Sequence, residues 1–64
     1  MAVSIKAARV NAGLTQEEVA KALKKSKNTI NSYEAYSSSP DITVAIAMAE
    51  LFGMSLDDIV WDKD

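Results

Sequence analysis

The sequence predicts an all-α fold, a compact bundle of five short helices, on three observations. Helix-start chemistry recurs at short intervals, with serine, threonine or aspartate standing just before an amphipathic run. Apolar residues return at a helical period inside those runs. No stretch alternates apolar and polar residues as a half-buried strand would, so no strand is predicted. At 64 residues the chain has room for one domain, spanning 1–64, and it buries only roughly 60% of the surface its unfolded form exposes.

Each element has its own warrant. A first helix runs from near Val3 to Ala12 with Ile5 and Ala8 facing inward, and Gly13 supplies the left-handed stop. Thr15 and Glu18 stand three apart as a capping box, opening a second helix over 16–23 with Val19, Ala20 and Leu23 on its apolar face. Ser26 caps a third helix over 27–34. Pro40 cannot continue that helix, Asp41 caps a fourth over 42–52, and Gly53 ends it. Ser55 with Asp58 opens a short fifth helix through Leu56, Ile59 and Val60.

Composition excludes several classes of function. Without cysteine there is no disulfide framework, no thiolate nucleophile and no cysteine-bound zinc; without histidine the commonest metal ligand and proton shuttle are missing. No metal site, cofactor or small-molecule substrate is therefore expected. An enzyme is not expected either: there is no glycine-rich phosphate loop, and Asp57 and Asp58 are neighbours that diverge on a helix. No run approaches the roughly 18 apolar residues that span a membrane, and the expectation is a cytoplasmic protein.

Charge is divided along the chain. Six basic against two acidic residues give 1–33 a charge of +4, whereas one basic against seven acidic residues give 34–64 a charge of −6. Three of the seven basic residues, Lys24, Lys25 and Lys27, crowd into four positions. Such asymmetry predicts a basic face for an anionic partner on a chain whose net charge is only −2.

The third helix shows what that face would read. At about 100° per residue, with Lys27 as zero, Asn31 falls near 40°, Asn28 near 100° and Ser32 near 140°, while Thr29, Ile30 and Tyr33 fall between roughly 200° and 300°. One side is polar and the other is buried. The second and third helices, joined only by "KKS", thus form a helix-turn-helix over about 16–34. An asparagine amide donates and accepts, matching adenine N6 and N7, and lysine donates to guanine O6 and N7. Lys27, Asn28, Asn31 and Ser32 are the expected base-contacting residues of a double-stranded DNA site. Gln16, Lys24, Lys25 and Ser26 are placed to hold phosphate, with Ser37 and Ser38 as further candidates beyond the third helix.

The segments "IKAARVNAGLTQEEVAKALKKSKNTINSYE" and "SPDITVAIAMAELFGMSLDDIV" resemble the Cro/CI-type helix-turn-helix regulators, the class that holds the DNA-binding domains of lambdoid phage repressors. The resemblance covers residues 5 to 60. It implies a four- or five-helix domain whose third helix enters the major groove of an operator, normally as one half of a dimer. It implies that Gln16 binds phosphate, that Lys27, Asn28 and Ser32 contact bases with Asn31 between them, and that Arg9 and Glu34 form an internal ion pair. The chain also departs from the family. Lys24 and Lys25 stand where a small residue, often glycine, and an apolar residue are usual; Tyr36 stands where many members have glycine; and Ser37 to Ser39 replace basic residues found in some. Weaker, less salt-dependent phosphate attraction is expected.

The fourth helix carries two apolar stripes. Ile42, Ala45, Ile46, Ala49 and Phe52 form one, and Val44, Ala47 and Leu51 form a second. The second is either covered by the first and fifth helices with Trp61, or exposed to a partner. A homodimer interface through Val44, Ala47, Leu51 and Trp61 is expected. The rival to a dimeric, repressor-type regulator is a protein-interaction module on the same fold, antitoxin-like or adaptor, that uses the apolar helix 42–52.

Overall fold

The computed structural model describes residues 2–63. In chain order it forms strand β1 (Val3–Ser4), helices α1 (Ile5–Asn11), α2 (Gln16–Leu23), α3 (Lys27–Glu34) and α4 (Ile42–Phe52), a single 3-10 turn (Leu56–Asp58) and strand β2 (Ile59–Val60). Among the described residues there are four α-helices, one fewer than expected.

The caps explain the helix boundaries. Ser4 has extended backbone and its side chain accepts from the Ala7 amide at 3.0 Å, so α1 starts at Ile5 and not near Val3. Thr15 and Glu18 close the full capping box, with Glu18 N donating to Thr15 Oγ1 at 3.1 Å and Thr15 N donating to Glu18 Oε1 at 2.8 Å. Asp41 accepts from the Val44 amide at 2.9 Å. Gly13 and Gly53 end α1 and α4 at φ of 75° and 71°, where a side chain would be strained.

The expected fifth helix is a single 3-10 turn that runs into β2. Ser55 Oγ donates to the Asp58 carboxylate at 3.0 Å and caps no first-turn amide. After one turn the chain extends, Ile59 turns inward and Val60 outward, and the pair lies parallel to Val3 and Ser4 in the register Val3↔Ile59, Ser4↔Val60. Three of those four residues are β-branched, which suits a pleated ladder better than a helix end. The two strands are too short to have shown a period of two.

Tyr36 fastens this corner. Its hydroxyl donates to the Val60 carbonyl at 2.8 Å and accepts from the Ile5 amide at 3.4 Å. It does so from a left-handed backbone, φ 60°, a conformation glycine adopts without cost. The hydroxyl joins the two ends of the chain, a role glycine could not fill.

The core gathers Ile5 and Ala8 of α1, Val19 and Ala20 of α2, Ile30 and Tyr33 of α3, Met48, Ala49 and Phe52 of α4, and Ile59 of β2. On α4 the inward face is Ala45, Met48, Ala49 and Phe52. Ile42 and Ile46, which the sequence groups with that face, are 66% and 43% exposed. Val44 and Leu51 pack against the core at its edge, Ala47 is half-buried, and Trp61 lies partly buried with its indole Nε1 donating to the Leu56 carbonyl at 3.0 Å. No helix of the structure is long and apolar enough to cross a membrane.

Candidate nucleic-acid interface

α2 and α3 are held at a fixed relation by the three residues between them. Lys24 takes the left-handed conformation (φ 58°, ψ 43°), and the Lys25 amide reaches back to the Ala20 carbonyl at 2.9 Å, closing the end of α2 as a glycine would. Lys25 is exposed, so no side chain of the turn staples it to the core at that position. Ser26 then starts α3 by accepting from the Thr29 amide at 3.2 Å, and its hydroxyl shares a 2.9 Å hydrogen bond with Thr29 Oγ1. The turn therefore needs no glycine, at the cost of one strained lysine.

From this turn α3 extends with Ile30 and Tyr33 buried and Thr29 half-buried. Lys27, Asn28 and Asn31 are exposed, and Ser32 is half-buried. Lys24 and Lys25 are exposed beside the start of the helix. The residues that the helical wheel puts on the polar side of α3 are thus exposed or half-buried, and the basic turn that precedes them is exposed.

Beneath that surface lies a polar network. Arg9 Nε donates to Glu34 Oε2, its Nη2 reaches Glu34 Oε1 at 3.4 Å, and its Nη1 donates to the Leu14 carbonyl at 2.7 Å. The two side chains are 11% and 5% exposed, so this is a nearly buried, hydrogen-bonded ion pair joining α1 to α3. Gln16, at the first position of α2, adds to it: Nε2 donates to Glu34 Oε1 at 2.9 Å and to Asn31 Oδ1 at 3.3 Å. The ion pair is the one the resemblance implies. In this structure the Gln16 amide nitrogen faces Glu34 and Asn31.

The serines beyond α3 are also partly engaged. Ser37 Oγ donates to the Ser32 carbonyl at 3.3 Å, and the amides of Ser37 and Ser38 point to the same oxygen at 3.0 and 3.4 Å. Ser39 Oγ donates to Asp62 at 3.3 Å, tying this loop to the C-terminal segment. Both Ser37 and Ser38 are exposed. Glu17 and Glu18 crowd the first turn of α2 with negative charge, which opposes phosphate binding there. The sequence reading missed two features: the Asn31 contact of Gln16 and the structural hydroxyl of Tyr36. For Tyr36 a signal was present, since a large aromatic residue at a position usually held by glycine calls for a compensating contact.

A capped helix, a tight turn, and a second capped helix that turns its polar side to solvent define a helix-turn-helix domain. Residues 5–59 match the helix-turn-helix family, and the chain belongs to that family in its Cro/CI-type branch of DNA-binding regulators. None of the curated proteins and none of the solved structures matched the chain.

Proposed function

We propose that this chain is a sequence-specific, double-stranded DNA-binding transcriptional regulator of bacterial or phage type that acts in the cytoplasm as a dimeric repressor on an operator. The observation that carries the reading is the exposure of Lys27, Asn28 and Asn31 on α3 together with that of Lys24 and Lys25 in the turn just before it. Lys27, Asn28, Asn31 and Ser32 supply donors and acceptors to base edges in the major groove, while Lys24, Lys25 and Ser26 hold phosphate and fix the register. Two such helices in a dimer read half-sites about one turn, roughly 34 Å, apart. A repressor of this kind acts by occluding the operator.

Dimer contacts fall on α4, where Ile42 and Ile46 leave the most apolar surface uncovered. Val44, Ala47, Leu51 and Trp61 add only the part of their surface that the core leaves free. The same exposed isoleucines favour the second reading, a protein-interaction module, and one experiment separates the two. Selection from a random duplex pool enriches a two-fold symmetric site if the chain is an operator-binding regulator. Failure to enrich any sequence, with retained activity in cells after Lys24, Lys25 and Lys27 are neutralised, refutes the DNA reading.

A further inference from the structure

We infer that the groove between the start of α4 and the C-terminal segment docks a basic, apolar segment of another protein. Such a segment seats one or two large apolar side chains on the floor of the groove and sets lysine or arginine against its rim. The groove has a volume of about 350 Å³ and a floor formed by Ile42, Ala45, Leu56 and Trp61. Ile42 is 66% exposed, more than any other large apolar residue described. The shape is fixed by contacts already in place. Trp61 Nε1 donates to the Leu56 carbonyl at 3.0 Å, and Ser39 Oγ donates to Asp62 Oδ1 at 3.3 Å. A groove formed in advance asks for little further ordering when it is filled.

Charge selects the occupant. Asp57 and Asp62 line the groove and are exposed, and among the described residues neither carboxylate is paired with a cation. Seven acidic residues and one basic residue make up the charge of 34–64, so the surroundings reinforce the rim. Nucleic acid and anionic membrane are repelled from such a site. A second copy seated groove to groove sets carboxylates against carboxylates, which disfavours a self-complementary contact there. The basic turn of a second copy, Lys24 to Lys27, brings charge but no exposed apolar side chain to fill the floor. A small molecule stays largely wet in a groove whose Ile42, Asp57 and Asp62 are all exposed, whereas ligand pockets bury most of what they bind. A peptide segment with apolar anchors between cationic side chains satisfies floor and rim together. None of the groove residues lies in α2, α3 or the turn between them, so the inference does not depend on the DNA reading. Ile42 also belongs to the proposed dimer face, and an occupied groove therefore excludes a dimer formed through Ile42.

Trp61 is the chain's single tryptophan and reports occupancy by its fluorescence. The test is selection of a random-peptide display library on the full chain, followed by titration of a selected, tryptophan-free peptide without DNA. The expected peptides carry one or two large apolar residues flanked by lysine or arginine, and they shift Trp61 emission to the blue. Their affinity falls as salt rises. Asp57→Asn with Asp62→Asn should weaken binding by roughly 2- to 30-fold, the yield of two exposed ion pairs, and flatten the salt dependence. Asp57→Lys with Asp62→Lys should turn the selection toward acidic, apolar peptides. Circular dichroism shows that each variant is folded, and the salt series of the wild type gives the charge test without any variant. Selection of no peptide, or of peptides without a cationic bias, overturns the inference. So does binding that survives when the apolar residues of the peptide are replaced by serine, because the floor then plays no part. A Trp61 emission that moves with protein concentration alone, and that the peptide does not reverse, gives the groove to a second copy and overturns it as well.

Discussion

Replacing Lys24 with glycine should move stability and DNA affinity in opposite directions. Lys24 sits at φ 58° and ψ 43°, in the left-handed region, and is exposed. A side chain there costs roughly 1–2 kcal/mol, and the extra chain entropy that glycine loses on folding offsets roughly 0.5–1 kcal/mol of the relief. The loss of a positive charge at the end of α2 subtracts a few tenths more at most, because that charge is solvated. Lys24→Gly should therefore stabilise the domain by about 0.5–1 kcal/mol, which raises Tm by roughly 2–8 °C for a domain of this size. The same substitution deletes a proposed phosphate contact, so the slope of log affinity against log salt should become shallower by about 0.9 per subunit. Thermal unfolding by circular dichroism and a salt series of duplex binding read the two effects separately. Lys24→Ala is the control: it loses the same charge, keeps the strain, and should lose affinity with no gain in Tm. A Lys24→Gly protein that melts lower than the wild type would refute the strained-turn account.

Four further outcomes are expected. Glu34→Ala leaves the Arg9 guanidinium nearly buried without its partner, at a cost of about 3–5 kcal/mol. A core of this size rarely supplies more than about 3–5 kcal/mol, so the far-ultraviolet spectrum at 25 °C should show a largely unfolded chain, rescued by replacing Arg9 and Glu34 together with apolar residues. Tyr36→Phe removes the hydroxyl that joins Val60 to Ile5 and should cost about 0.5–1.5 kcal/mol, with faster hydrogen exchange at the Ile5 amide as its local sign. Asn28→Ala should cost about 1–3 kcal/mol on the cognate site and relax one base pair, whereas Lys25→Ala should weaken cognate and random duplexes alike. Ile42→Ser with Ile46→Ser should change monomer stability by less than about 0.5 kcal/mol, yet shift sedimentation equilibrium toward monomer if α4 joins the dimer.

Helix placement was legible in the sequence because capping is local chemistry. Thr15, Ser26 and Asp41 each cap the helix the sequence assigned to them, and α2, α3 and α4 keep the expected bounds. Ser4 does the same for α1, which therefore starts at Ile5 and not near Val3. The C-terminal segment was misread because Ser55 and Asp58 have capping-box spacing, and spacing alone does not show that the two side chains bond to each other. What decided its form was long-range: β2 pairs with a strand more than fifty residues earlier and is fastened by Tyr36 from the middle of the chain. The polar face of α3 was legible from its wheel. The Gln16 contacts to Glu34 and Asn31 beneath it were not, because those residues meet only once α2 and α3 have packed. On α4, whose residues are apolar nearly all round, the wheel could not choose the inward stripe, and packing chose the one through Met48.

The most direct test of the account is fluorescence anisotropy of a selected two-fold symmetric duplex and of a random-sequence duplex pool, each titrated with the wild-type chain at two salt concentrations. The account predicts that the selected site binds at least a thousandfold more tightly than the pool, with half-sites about one helical turn apart and affinity falling as salt rises. Equal binding of both duplexes, or no binding of either at low salt, would contradict it.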